Sequence, residues 1–153
     1  MTHPRTEIEA AIPHREPFLF VDRVLEHGPQ SIRCEWTVPA GADFFRGHYP
    51  GNPVTPGVVL SEHAFQCAAL LISRALSGFS AEDGVPVLTK IESARFKRIV
   101  RPGETVTTAV DVSERLGPAW YLRARVRCAD QVVLNIRFVL SAAQAMHRVG
   151  ETL

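Results

Sequence analysis

The run from Val58 to Leu76, VVLSEHAFQCAALLISRAL, constrains the fold of this chain more than any other stretch. It is apolar nearly all the way round at helical spacing, so a helix built on it must be enclosed rather than laid on a surface. Thr55 is placed to cap it, Pro56 suits the first helical position, and Gly78 can close the end. Glu62, His63 and Arg74 interrupt the run, which argues against a membrane span. On a wheel advancing about 100° per residue, Glu62, Gln66, Ala69 and Ser73 share one narrow stripe. The helix therefore carries a single polar or small seam.

An enclosed helix needs something to enclose it, and most of the remaining chain reads as strand. In SIRCEWTV, Ile32, Cys34, Trp36 and Val38 fall on one face and Arg33, Glu35 and Thr37 on the other. A strand over FLFVDRVLE precedes it across a turn at HGPQ. Further on, Val106, Thr108, Val110 and Val112 share a face, as do Trp120, Leu122, Ala124, Val126 and Cys128. Arg123, Arg125 and Arg127 line the opposite, wet face, and VVLNIRFVL follows the turn at ADQ. One long buried helix and roughly five or six antiparallel strands make an α+β chain whose sheet wraps the helix. We expect one domain over residues 1–153, with its core between about 12 and 142. The first dozen residues and the tail after Ala143 lack an alternating pattern and are expected to be loosely held.

Composition excludes several function classes. Seventeen basic residues against sixteen acidic ones leave a net charge of +1, so no global field favours nucleic acid or an anionic membrane. Three cysteines, far apart and without a CxxC pair, argue against a disulfide framework or a structural zinc site. The N-terminal MTHPRTEIEA lacks an apolar core of signal-peptide length, so a cytoplasmic setting is expected.

The chemistry is concentrated in GHYPGNPVTPGVVLSEHAFQ, Gly47 to Gln66, where prolines recur at Pro50, Pro53 and Pro56. Taken singly, His48 is an ordinary turn residue and Glu62 an ordinary helix carboxylate. Together they suggest more. Glu62 sits in the first turns of an apolar helix, where burial raises a carboxyl pKa and keeps it protonated as a general acid. A neutral His48 would be a general base whose second ring nitrogen must be oriented by a hydrogen bond. The helix N-terminus at Gly57 offers amides to a developing oxyanion. These parts suit elimination of water beside a carbonyl, and equally thioester hydrolysis.

PHREPFLFVDRVLE (Pro13 to Glu26), GHYPGNPVTPGV (Gly47 to Val58) and ARFKRIVRPGE (Ala94 to Glu104) resemble, in order, three signature segments of the 3-hydroxyacyl-[acyl-carrier-protein] dehydratases of the FabZ/FabA type. The resemblance implies a hot-dog fold, a long central helix wrapped by a curved antiparallel sheet. It implies dehydration of (3R)-hydroxyacyl thioesters on the phosphopantetheine arm of an acyl carrier protein to trans-2-enoyl products, without metal or cofactor. Carried across by position, the family's histidine falls on His48 as base and its acidic residue on Glu62, which handles the departing hydroxyl. The Val54 carbonyl would orient the histidine and the Gly57 amide would polarise the thioester oxygen. The resemblance further implies a homodimer, or a trimer of such dimers, with each site shared between two chains. Two positions depart from the family pattern: Phe65 is bulkier than usual and would narrow the acyl tunnel, and Val87 is a small aliphatic where an aromatic is common.

The basic cluster Arg95, Lys97, Arg98 and Arg101 reads either as a solvated strand end or as a docking patch for an acidic carrier protein. Gln66, one turn after Glu62, is placed to bond the acid or simply to fill the seam. His63 adjoins Glu62, but neighbouring helix positions diverge by about 100°, which disfavours a metal site. His14 is expected to fix a turn and Cys67 to pack. Two other functions stay open on the residues alone: a hot-dog acyl thioesterase, and a non-catalytic subunit that binds acyl chains.

Overall fold

The computed structural model describes residues 5–76, 78 and 84–143, so the expectation for the tail after Ala143 lies outside the described residues. The chain runs α1 (Arg5–Ala11), β1 (Arg23–His27), β2 (Ser31–Thr37), a 3-10 turn (Asp43–Arg46), α2 (Gly57–Ala75), β3 (Val85–Phe96), β4 (Thr105–Leu116), β5 (Ala119–Cys128) and β6 (Gln131–Ala143). The six strands form one antiparallel sheet in the order β1-β2-β4-β5-β6-β3. This is the α+β hot-dog arrangement, with α2 as the filling.

The alternation in the sequence is the alternation in the sheet. Ile32, Cys34 and Trp36 of β2, Val106, Thr108 and Val110 of β4, and Trp120, Leu122, Ala124, Val126 and Cys128 of β5 all point inward. Arg123, Arg125 and Arg127 lie on the exposed outer face. Thirteen of the 19 residues of α2 are buried, which only a helix covered on nearly all sides can achieve. Each buried Leu or Ile contributes about 1.5–3 kcal/mol of transfer free energy. Trp36 is the largest fully buried side chain, and it lies between the Phe20 ring and the His63 imidazole of α2.

Three local expectations are corrected. The helix is not capped by Thr55: Pro56 occupies the cap position, so Thr55 lies one residue too early to reach the first free amides. Its hydroxyl is buried without a partner among the described residues. The strand expected over FLFVDRVLE is only Arg23–His27, because the Phe18 carbonyl and both backbone groups of Phe20 bond helix side chains instead of a neighbouring strand. Most of the first dozen residues are not loose either. Ile8 and Ile12, one turn apart, are buried in the core and seat α1. At the other end of α2, Gly78 closes the helix as expected, with φ +103 and its N–H donating to the Ser73 carbonyl at 2.7 Å.

β3 is the edge that matters for the site. Beyond Val87 its residues are exposed on both faces, Leu88, Ile91 and Phe96 among them. One side of this 12-residue strand pairs with β6 and the other has no strand beside it among the described residues.

Candidate active site

The loop from Gly47 to Pro56 is rigid for identifiable reasons. His48 N–H donates to the Phe44 carbonyl of the 3-10 turn at 2.9 Å. Tyr49 takes a left-handed backbone, φ +65, unusual for a residue with a bulky side chain. Asn52 N–H closes back onto Tyr49 O at 2.9 Å. From the other side, Thr55 N–H donates to Val100 O, and the Arg101 guanidinium bonds Asn52 Oδ1 and Pro53 O. So fixed, the half-buried His48 places Nδ1 2.7 Å from Val54 O. A carbonyl can only accept, so Nδ1 carries the hydrogen, and in the neutral ring Nε2 is then the bare lone pair that a general base needs.

Glu62 stands in the second turn of α2. Burial lifts its carboxyl above the ordinary glutamate range, partly offset by a hydrogen bond from Gln66. That bond runs from Gln66 Nε2 to Glu62 Oε1 at 3.1 Å. Gln66 also donates to Phe18 O at 3.0 Å and accepts the Phe20 N–H on Oε1 at 2.7 Å. It therefore bonds the acid and fills the seam at once.

At the helix mouth the Gly57 and Val58 amides head α2, before the first intrahelical bonds of Val59 and Leu60 to Pro56 O. A Cβ on Gly57 would stand 2.9 Å from the Phe96 ring, so glycine lets that ring lie close against the mouth. Phe65 packs edge-to-face on Phe138 at 4.8 Å between centroids and is buried in the core. Of the four basic residues, Arg98 is held by a forked pair with Glu104, and Arg101 by the loop contacts above. Arg95 and Lys97 are exposed.

Two histidines have more to do than the sequence suggested. His63 is fully buried: Nδ1–H donates to Phe20 O at 2.6 Å and Nε2 accepts the Thr108 hydroxyl at 2.8 Å. Burial pushes its pKa down to about 4, so it is a neutral brace. His14 lies 3.6 Å from Glu62, Nε2 to Oε1. Nothing in its local sequence signals a contact with a residue 48 positions away. Among the described residues no three His, Cys, Asp or Glu side chains gather as a metal site. His48 and Glu62 neither hydrogen-bond nor ion-pair with each other within the chain.

Residues 12–137 match the FabA-like domain family. The chain is 36% identical over 137 residues to the 3-hydroxyacyl-[acyl-carrier-protein] dehydratase FabZ of Anaeromyxobacter sp. (strain K), covering 89% of this chain and 88% of the relative. It is 37% identical over 134 residues to the FabZ of Rickettsia massiliae, covering 87% and 91%. Among solved structures, the dehydratase heterocomplex ApeI:P from Xenorhabdus doucetiae superposes with a TM-score of 0.61 at 20% identity, covering 77% of this chain and 93% of that one.

Proposed function

The chain belongs to the FabA-like family and is a 3-hydroxyacyl-[acyl-carrier-protein] dehydratase of fatty-acid biosynthesis, and from that premise we propose that His48 and Glu62 carry the elimination. His48 Nε2 takes the proton from the carbon next to the thioester carbonyl. The electron pair left behind forms the double bond to the neighbouring carbon as the hydroxyl departs. Glu62 gives that hydroxyl its proton, so it leaves as water rather than hydroxide. The Gly57 amide donates to the thioester oxygen while negative charge gathers on it, a role for which a helix N-terminus is suited. The reaction balances with these groups alone. The observation that carries the reading is the Nδ1 contact of His48 to Val54 O, which leaves a base on Nε2 at the end of a stiff loop.

A second copy of the chain belongs to this reading. The open edge of β3 and its exposed Leu88, Ile91 and Phe96 offer the surface on which two sheets can join, and the His48 of one chain then meets the Glu62 of the other. Trimers of such dimers fit the same contact. The carrier-bound acyl chain enters beside Phe96 and the helix mouth. There Arg95 and Lys97 supply exposed positive charge, and Arg98 and Arg101 chiefly hold the platform. The three described cysteines are unpaired and buried, in keeping with the cytoplasmic setting we assign.

The test is product analysis with two variants. Wild-type protein given a 3-hydroxyacyl thioester should yield the 2-enoyl thioester, whereas a free acid would make it a thioesterase. Glu62→Gln keeps the shape and loses the transferable proton, so turnover should fall by roughly 10²–10⁴. His48→Ala should abolish dehydration and rehydration alike, because both directions cross one transition state. Near-full activity in either variant removes that residue from the mechanism.

A further inference from the structure

The geometry points to His14 as a positioning residue for the Glu62 proton: a neutral imidazole, fixed by its loop with Nε2 against the carboxyl, that decides which oxygen carries the proton burial keeps on Glu62. The inference rests on the reading of Glu62 as the acid.

His14 Nε2 lies 3.6 Å from Glu62 Oε1, the same oxygen that accepts the Gln66 amide at 3.1 Å. That is too long for a hydrogen bond but close enough for charge to matter. The other ring nitrogen, Nδ1, is buried with no partner among the described residues. An orphaned N–H is the rarer and costlier state, so Nδ1 is the bare nitrogen and the ring hydrogen sits on Nε2, facing Glu62. Oε1 thus accepts the Gln66 N–H and faces the His14 N–H, and the acidic hydrogen belongs on Oε2, free to be given to a departing hydroxyl.

The loop holds this arrangement in place. Ile12 anchors its start in the core, and the Arg15 guanidinium bonds the carbonyls of Ile12 and His14 at 2.8 and 2.7 Å. Phe18 N–H donates to Arg15 O at 2.8 Å. Gln66 and His63 then fasten Phe18 and Phe20 to the helix that carries Glu62.

The electrostatics run the same way. From the loop, the groups near the carboxyl are His14 and, behind it, Arg15. From α2 they are Gln66 and His63, the latter neutral and turned away to Phe20 and Thr108. Burial, then the neighbouring Arg15 charge, lowers the His14 pKa, so the imidazole stays neutral. Were it a cation, it would draw the proton off Glu62 and leave an ion pair in place of an acid.

The experiment compares the kcat–pH profiles of His14→Gln, His14→Phe and His14→Lys with those of wild type and Glu62→Gln. Activity falls at high pH as Glu62 loses its proton. A fixed cation in His14→Lys should move that fall down by about one pH unit or more. His14→Gln, which keeps an uncharged N–H donor, should retain the wild-type limb and lie within about threefold in kcat, whereas His14→Phe should lose about tenfold. A limb in His14→Lys at the wild-type pH, with Glu62→Gln inactive, overturns the role of His14 alone. Should the Lys variant not fold, a Gln variant no more active than the Phe one overturns it equally. An active Glu62→Gln would overturn the acid assignment and this inference together.

Discussion

At His63 the burial is complete and both ring nitrogens are bonded, so its proton affinity is a stability statement. Its pKa falls from the ordinary 6.5 to about 4 in the folded chain, chiefly through burial. The unfolded chain therefore binds a proton first as the pH drops. The His63 contribution is whole above pH 6.5 and is lost as the pH falls toward 4, about 3 kcal/mol across that window. Glu62 acts in the opposite sense: its raised pKa stabilises most below the ordinary glutamate value and loses that contribution as the pH rises through the folded one. Urea unfolding at pH 7.5 and pH 4.5 should show the His63 loss in wild type and a clearly smaller one in His63→Gln. Equal losses in both proteins would remove His63 as the cause. The sequence made His48 and Glu62 visible because each breaks its surroundings, one in a proline-stiffened loop and the other in an apolar helix. It hid His14 and the bracing role of His63, since their partners are 48, 43 and 45 residues away and no local pattern encodes such contacts.

The elements were legible where one face is buried and the other wet. In β2, β4 and β5 the side chains alternate because the sheet does, and α2 is greasy all round because the sheet surrounds it. Legibility failed where backbone partners are not strands. Phe18 to Val21 looks like a strand but spends its carbonyls and amides on Gln66 and His63. α1 is too short to show a period and holds by two isoleucines. The mouth of α2 supplies a test at this scale. In Gly57→Ala the new Cβ would stand 2.9 Å from Phe96 Cε1, and the ring, half-exposed on an edge strand, is what yields. The fold should tolerate this, with Tm lowered by only a few degrees, whereas kcat/KM falls about tenfold as the amide shifts from the thioester oxygen. Adding Phe96→Leu should recover part of the loss if crowding is the cause, a coupling that a double-mutant cycle measures. No recovery would place the defect elsewhere.

The whole molecule poses the question that one chain leaves open, how His48 and Glu62 act on the same substrate without touching. The proposed joining of two copies at the β3 edge would answer it by giving each site a histidine from one chain and a glutamate from the other, in two equivalent sites about a two-fold axis. The arrangement can be read from a mixture. A His48→Ala chain and a Glu62→Gln chain are unfolded together and refolded in equal amounts. Each homodimer has a lesion in both sites and stays inactive. A mixed dimer has both lesions in one site and none in the other, so half of its sites are wild type. Random pairing makes half of the dimers mixed, and activity should return to about a quarter of wild type. Assembly of dimers into trimers leaves that fraction unchanged, because every site still lies within one dimer. If the two residues instead served one substrate within a single chain, every site would carry a lesion and the mixture would remain inactive. An inactive mixture in which mixed dimers are demonstrably present would therefore place both groups in one chain.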